Sequence, residues 1–157
     1  MRELPAIEAL YLEIDNVFEA ERSAAVAASD EPKAVRIEVK QRLNDQAYFI
    51  FSWGQLETAI DEACRSAIRT RRGSANRATR RAWELYEPDD KRLSGLRFEN
   101  RAALVLDKER GSDCAWKKVI RYYNMRNQIA HGTLLASRID LTEVVQDFFL
   151  IQGELEH

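Results

Sequence analysis

The feature that most constrains the fold is a long apolar seam in the middle of the chain. Between residues 33 and 72, apolar side chains recur at alternating spacings of four and three. These positions are Phe49, Trp53, Leu56, Ile60, Ala63 and Ala67. Such spacing lines the side chains along one face of an α-helix and is typical of helices that pack in bundles. Leu43, Ala47 and Ile50 widen this face, so the sequence predicts a central helix that contacts several others.

Turn residues divide the rest of the chain into further helices. Residues 5–29 carry apolar positions at helical spacing and an acidic opposite face. Their apolar positions are Ile7, Leu10, Tyr11, Ile14, Val17 and Phe18. Asp30 and Pro32 suit the start of the central helix. Short helices are predicted over 75–86, which Ser74 would cap, and over 97–108. A longer one begins at residue 114 and another covers 140–152.

The last two of these helices also carry apolar positions that we expect to face inward. They are Trp116, Val119, Ile120, Tyr123, Leu141, Val144, Val145, Phe148, Phe149 and Ile151. No segment alternates like a β-strand. The sequence therefore predicts an all-α fold, an up-and-down helical bundle of four main helices with short insertion helices.

Composition places the chain among folded globular proteins. With 157 residues, 45% apolar and 32% charged, one domain over 1–154 is expected. The final residues 155–157 look like the remnant of a vector-encoded polyhistidine tag. Cys64 and Cys114 are isolated, so we expect reduced thiols and neither a metal nor a cofactor. No secretory signal or membrane-length apolar run is visible, which favours a cytoplasmic protein.

The sequence RNQIAHG, from Arg126 to Gly132, holds the internal histidine of the chain. Asn127 and His131, four residues apart, share one helix face, whereas Arg126 and His131 lie about 140° apart. Gly132 suits the position just past a helix end, where the helix dipole favours a protonated imidazole. A proton shuttle and a permanent cation are the groups that phosphoryl chemistry needs. A helix-capping histidine beside a surface arginine fits the spacing as well.

This stretch resembles the motif of the HEPN family, an Arg followed by four to six residues, the first usually polar, and then a His. Arg126, the polar Asn127 and His131 match it with a four-residue spacing, on the penultimate main helix. The resemblance implies a homodimeric helical domain, in many members a metal-independent endoribonuclease, often a toxin or a phage-defence effector. His131 would then act as acid or base, Arg126 would hold the phosphate, and Asn127 would orient His131 or the substrate.

The resemblance also implies that two copies of the motif, one per subunit, line a single cleft. One branch of the family carries a Tyr two residues after the His, which a nucleotidyltransferase antitoxin modifies. Thr133 stands there in this chain, so that partnership is not predicted, although another antitoxin protein fits the toxin reading. Some members lack nuclease activity. A non-catalytic dimerisation or nucleotide-binding or RNA-binding module therefore stays open, as does an accessory subunit that binds RNA while a partner cuts.

An arginine-rich run extends from residue 65 to residue 81 and contains no acidic residue. Its arginines are Arg65, Arg69, Arg71, Arg72, Arg77, Arg80 and Arg81. Such a run would attract RNA phosphates at long range. Arg121, Arg101, Lys117 and Lys118 would add charge, and Tyr122 or Tyr123 would stack on a base. The alternative is a solvated connection that offsets the acidic first helix.

Overall fold

The computed structural model describes residues 1–84, 95–111 and 113–156, and these form six helices and no strand. The helices are α1 (Leu4–Ala27), α2 (Glu31–Arg72), α3 (Arg77–Trp83), α4 (Phe98–Val105), α5 (Ala115–Ala130) and α6 (Leu141–Leu155). The all-α class is confirmed, with four long helices and two short ones between α2 and α5. The end of the predicted helix 75–86 and His157, the last residue of the predicted tag remnant, lie outside the described residues.

The chain divides into two compact units, whose boundaries fall within α2, α5 and α6. The first consists of Met1–Gln55 and Tyr122–Phe149, and the second of Leu56–Arg121 and Leu150–His157. Within the described part of the chain, no helix is both long and apolar enough to cross a lipid bilayer.

The first unit is a bundle of four helical segments around an aromatic core. Phe49 of α2 packs against Tyr122 of α5, with ring centroids 6.1 Å apart. Phe148 of α6 meets Tyr122 edge to face at 5.2 Å and Trp53 at 6.4 Å. Edge-to-face pairs are a favoured arrangement of aromatic rings. The predicted seam of α2 therefore does form the core contact with α5 and α6.

The second unit continues the same seam of α2. Leu56, Ile60 and Ile68 are fully buried. The other buried apolar side chains of this unit are Cys64, Phe98, Ala102, Leu106, Cys114, Ala115, Val119 and Ile151.

The ends of α1, α2 and α3 follow capping rules. Ser29 adopts the left-handed conformation (φ 55°), which turns the chain between α1 and α2. Asp30 caps α2 as predicted, because its Oδ1 accepts a hydrogen bond from the Lys33 amide at 3.1 Å. The prediction that Ser74 caps α3 is wrong: the Asn76 Oδ1 accepts from the Thr79 amide at 3.1 Å. Ser74 instead accepts a hydrogen bond from the Asn76 amide.

Several apolar side chains that were expected to face the core are exposed instead. They are Leu10, Ile14, Val17, Leu43, Ala47 and Phe149. The physical reason in α1 is that it contacts α2 through a narrow side centred on Tyr11, which is 5% exposed. Apolar periodicity identifies a stripe on a helix, but it does not show whether a neighbouring helix covers all of that stripe.

Candidate functional site at the end of α5

The RNQIAHG sequence forms the last turn of α5 and a helix-ending turn. The Thr133 amide donates to the Gln128 carbonyl at 3.0 Å, and the Gly132 amide donates to the Ile129 carbonyl at 2.9 Å. Gly132 has a φ of 83°. This pair of bonds around a left-handed glycine is the Schellman motif, in which His131 is the C-cap residue. The predicted role of Gly132 as the residue that ends the helix is confirmed.

The three side chains of the motif differ in their surroundings. His131 is exposed, whereas Arg126 and Asn127 are half-buried. The Arg126 Nη1 donates a hydrogen bond to the Asn127 Oδ1 at 3.2 Å. Asn127 therefore contacts the guanidinium and thereby restricts its orientation. The structure thus offers an accessible imidazole and a partly desolvated cation within one helical turn and a half.

The segment that follows the motif is anchored to α2. The guanidinium of Arg42 donates to the carbonyls of Leu135 and Ala136, both at 3.4 Å. The Ile139 amide donates to the Asp45 Oδ2 at 3.2 Å. These contacts fix the chain a few residues beyond His131, because α2 is itself held by the core.

Asp45 is the centre of a buried polar network. Its carboxylate, fully buried, accepts hydrogen bonds from Arg138 and from the Tyr11 hydroxyl at 3.0 Å. Arg138 also pairs with Asp15 on α1. The hydrogen bond to Asp45 raises the pKa of Arg138, although burial opposes this. Burial, with the nearby Asp45 charge, raises the pKa of Tyr11. Both groups therefore keep their protons at neutral pH.

This network was not predicted from the sequence. The available signal was an acidic residue, Asp45, four positions before Phe49 at the start of the seam. A carboxylate on the buried side of a helix requires a cationic or hydrogen-bonding partner. The sequence does not show which of the chain's 24 lysines and arginines supplies that partner.

Tyr122 cannot stack on a base as proposed from the sequence. Its ring is 2% exposed and packs between Phe49 and Phe148, and its hydroxyl donates to the Asp147 Oδ2 at 2.7 Å. Tyr123 is half-buried and lies 6.1 Å from Trp53, between ring centroids. Tyr122 is therefore a core residue. It lies four positions before the half-buried Arg126, on the same face of α5.

The arginine-rich run belongs to the second unit. It begins in the last turns of α2 and ends in α3. Its exposed members are Arg69, Arg71, Arg77, Arg80 and Arg81, and its half-buried members are Arg65 and Arg72. The Arg80 guanidinium donates to the Ser74 carbonyl at 2.8 Å, and Arg71 lies over the Trp83 ring at 4.8 Å. The run is therefore a partly ordered cationic surface.

Two of the additional cations have carboxylate partners. Arg101 pairs with both Asp61 and Glu57 and is 13% exposed, so the expectation that it adds to an RNA-binding surface is wrong. Two carboxylates neutralise its charge. Lys118 pairs with Asp113 at 3.4 Å, whereas Lys117 donates to the Gly111 carbonyl at 2.7 Å and remains exposed. Arg121 is exposed.

Among residues 1–84, 95–111 and 113–156, no group of three or more His, Cys, Asp or Glu side chains is arranged to hold a metal ion. Comparison of the chain with protein-family models, curated proteins and solved structures finds no match. The geometry at the end of α5 is therefore the main basis for a functional interpretation.

Proposed function

We propose that this chain is a metal-independent endoribonuclease of the HEPN type. The observation that carries the proposal is the presence of an exposed imidazole, His131, and a half-buried guanidinium, Arg126, five residues apart at the end of one helix. Partial burial strengthens the attraction between a guanidinium and a phosphate, because less water screens the two charges. The hydrogen bond from Arg126 to Asn127 orients the planar donor group before substrate arrives.

The reaction needs only the groups at this site and water. A ribose 2′-hydroxyl attacks the adjacent phosphorus, and His131 takes the hydroxyl proton as general base. The bond from phosphorus to the 5′-oxygen breaks, that oxygen takes up a proton from water, and His131 returns its proton to the solvent. The products are a 2′,3′-cyclic phosphate and a 5′-hydroxyl end. Arg126 stabilises the extra negative charge on the phosphoryl oxygens in the transition state.

Two subunits fit this chemistry better than one. Arg126 and His131 are five residues apart, and the helix turns them about 140° away from each other. A two-fold axis beside the end of α5 would bring the Arg126 of one subunit near the His131 of the other. A homodimer with one shared cleft is therefore part of the proposal, and the toxin or phage-defence role, with a possible antitoxin protein, follows from the same reading.

RNA would dock on the arginine-rich run between residues 65 and 81. Five of its seven arginines are exposed, and the run carries no acidic side chain that would repel phosphate. Arg121 adds an exposed charge on α5. Binding of this kind depends on the release of counterions and weakens steeply as salt rises.

The test is RNA cleavage in the presence of EDTA. Wild-type protein should produce fragments that end in a cyclic phosphate, and His131→Ala and Arg126→Ala should each lose about a hundredfold or more of this activity. Gln128→Ala is the matched control, because Gln128 is exposed on the same turn and contributes its carbonyl to the helix end. Activity that chelator abolishes, or that survives in both motif variants, would refute the mechanism.

A second candidate is a non-catalytic dimerisation or RNA-binding module. One observation favours it, since both motif residues also have a structural role. His131 is the C-cap residue of α5, and Arg126 donates a hydrogen bond to its neighbour Asn127. This candidate predicts RNA binding without cleavage by the wild type. It also predicts that induction of the protein in cells leaves growth unchanged, whereas an active toxin slows growth and either motif variant relieves it.

A further inference from the structure

One side of the α1–α2 hairpin exposes large apolar side chains. Leu10, Ile14 and Val17 of α1 are 53%, 37% and 56% exposed, and Phe51 of α2 is 65% exposed. Ala47, one turn before Phe51, is exposed as well. We call these five residues the α1–α2 apolar face. Side chains of this size are scattered singly on most protein surfaces, and a cluster marks an interaction site.

The face is continuous across the two helices. Tyr11 meets Tyr48 with ring centroids 5.7 Å apart, and Tyr48 meets Phe51 at 6.3 Å. This chain of rings leads from the contact side of α1 to the exposed side of α2. Leu10 and Ile14 flank Tyr11 on the side opposite Asp15, whose carboxylate points toward Arg138. They therefore lie on the same side of the hairpin as Phe51.

This face lies away from the segment that follows the motif. Arg42, which bonds to the carbonyls of that segment, and Phe51 are nine residues apart on α2. Nine residues at about 100° per residue place the two side chains on opposite sides of the helix. A partner on the α1–α2 apolar face would therefore leave His131 open to substrate.

The face follows one stripe of each helix. On α1 the stripe is Ile7, Leu10, Ile14, Val17 and Glu21, at spacings of three and four, and four of these five residues are apolar. That pattern is typical of a helix that packs against another helix. On α2 the stripe is Lys40, Asn44, Ala47, Phe51 and Gly54, in which Ala47 and Phe51 are the apolar positions. The expected partner is therefore a helical surface.

One end of the face carries two residues of opposite charge, Glu21 and Lys40, which can pair with the same two residues of a second copy. Gln41 donates to Glu19 across the hairpin, so Glu21 on α1 and Lys40 on α2 lie at the same end. If a second hairpin packs with its α1 over α2 of the first, Glu21 of each copy faces Lys40 of the other. If α1 packs over α1, Glu21 of one copy approaches Glu3 of the other, which is repulsive. The first arrangement is isologous, so both copies use the same surface.

We propose that a second copy of this chain docks on the α1–α2 apolar face, with α1 of each copy antiparallel to α2 of the other. The contact is independent of the proposed nuclease activity, because no motif residue takes part in it. It is also distinct from a contact that would join two motifs in one cleft. The proposal accounts for the exposed side of α1, which the sequence pattern had assigned to a core.

The experiment measures molar mass by analytical ultracentrifugation over a range of protein concentrations. Phe51→Glu and Val17→Glu should each weaken association through the α1–α2 apolar face by roughly thirtyfold or more, because each places a charge in an apolar contact, whereas a contact between motifs would stay intact. Leu12→Glu is the matched control for Val17, since Leu12 is 43% exposed on the opposite side of α1. Leu150→Glu is the control for Phe51, with the same exposed fraction of 65%. Circular dichroism checks that each variant folds.

Charge reversal tests the arrangement itself. Glu21→Lys and Lys40→Glu should each weaken association, and the double variant should restore it, because the pair is then reversed but still complementary. His131→Ala should leave the association unchanged, so a failure of the nuclease proposal does not affect this result. A wild type that stays monomeric at all concentrations, or one whose association the Leu12 and Leu150 controls weaken as much, would overturn the proposal.

Discussion

The guanidinium of Arg138 donates to both carboxylate oxygens of Asp45, 93 residues earlier in the chain. The Nε–Oδ2 and Nη2–Oδ1 distances are both 2.8 Å. Bidentate pairing of this kind has a fixed geometry and is stronger than a neutral hydrogen bond. It joins the segment that follows the motif to the middle of α2. The position of the turn at His131 therefore depends on an ion pair between Arg138, in the segment that follows the motif, and the buried carboxylate of Asp45 on α2.

Replacement of Asp45 should destabilise the fold substantially. Asp45→Asn removes the negative charge that Arg138 faces and leaves an amide whose NH2 group points at donors. Loss of one partner of a buried pair costs roughly 3 kcal/mol in the free energy of unfolding. Urea unfolding monitored by circular dichroism measures this loss. Asp15→Asn is the control, because that carboxylate is partly exposed and should cost only about 1 kcal/mol. Equal losses in the two variants would contradict the central role of Asp45.

Gly132 should be sensitive to the addition of a single methyl group. Its φ of 83° strains any residue that has a Cβ atom, although no atom lies within 4 Å of the added position. Gly132→Ala should therefore lower the free energy of unfolding by about 1 kcal/mol. Gly153 in α6 also has open space for a Cβ atom but has ordinary helical geometry. Gly153→Ala should leave stability unchanged or raise it by up to about 1 kcal/mol. The comparison isolates backbone strain from steric contact.

Cys64 should make stability depend on alkaline pH. Its thiol is fully buried and donates to the Arg101 carbonyl at 3.1 Å. Burial, with a smaller contribution from Asp61, raises the pKa of this thiol to about 11. An unfolded cysteine ionises near pH ~8.5, so the unfolded chain releases this proton first. Stability therefore falls between that pH and about 11, by up to about 1.4 kcal/mol per pH unit from this group.

The measurement is urea unfolding at a series of alkaline pH values. Cys64→Ala should show a shallower decline than wild type, whereas Cys114→Ala, which keeps Cys64, should decline like the wild type. The folded protein should also react slowly with a thiol reagent at Cys64. If the two cysteine variants show the same pH dependence, the assignment to Cys64 is wrong.

The arginine-rich run should determine how RNA binding responds to salt. Replacing Arg77, Arg80 and Arg81 of α3 with Gln removes three exposed charges. The slope of log affinity against log salt should fall by about two, since each phosphate contact on single-stranded RNA contributes about 0.7. A matched triple variant replaces three exposed cations outside the run, Arg2, Lys33 and Arg97, and should keep the original slope. If both triple variants lose the same slope, binding follows net charge rather than the run.

The helices were largely predictable from the sequence because apolar spacing and turn residues are local signals. The seam from Phe49 to Ile60 lies in the core, and Gly132 ends α5, as the pattern predicts. The side of α1 that faces the core was not predictable. Leu10, Ile14 and Val17 are as apolar as core residues, and only the tertiary contact of Tyr11 with Asp45 shows that they lie outside it.

The candidate site was predictable only in part. The position of His131 at a helix end follows from Gly132, a local signal. The burial of Tyr122 could not be read from its sequence, because Tyr122 and Tyr123 are adjacent and only one of them can face the core. The pairing of Asp45 with Arg138 joins residues on distant parts of the chain, and one sequence offers no measure of which charges meet.

The turn that carries His131 is held by amide-to-carbonyl bonds and by the conformation of Gly132, without any use of the imidazole ring. His131 and His157 are the two histidines of the chain. Comparison with a His157→Ala variant therefore assigns the ring-proton signal of His131 in a proton NMR spectrum. Titration of that signal with an oligonucleotide or with phosphate would report directly on what approaches the end of α5, without a label.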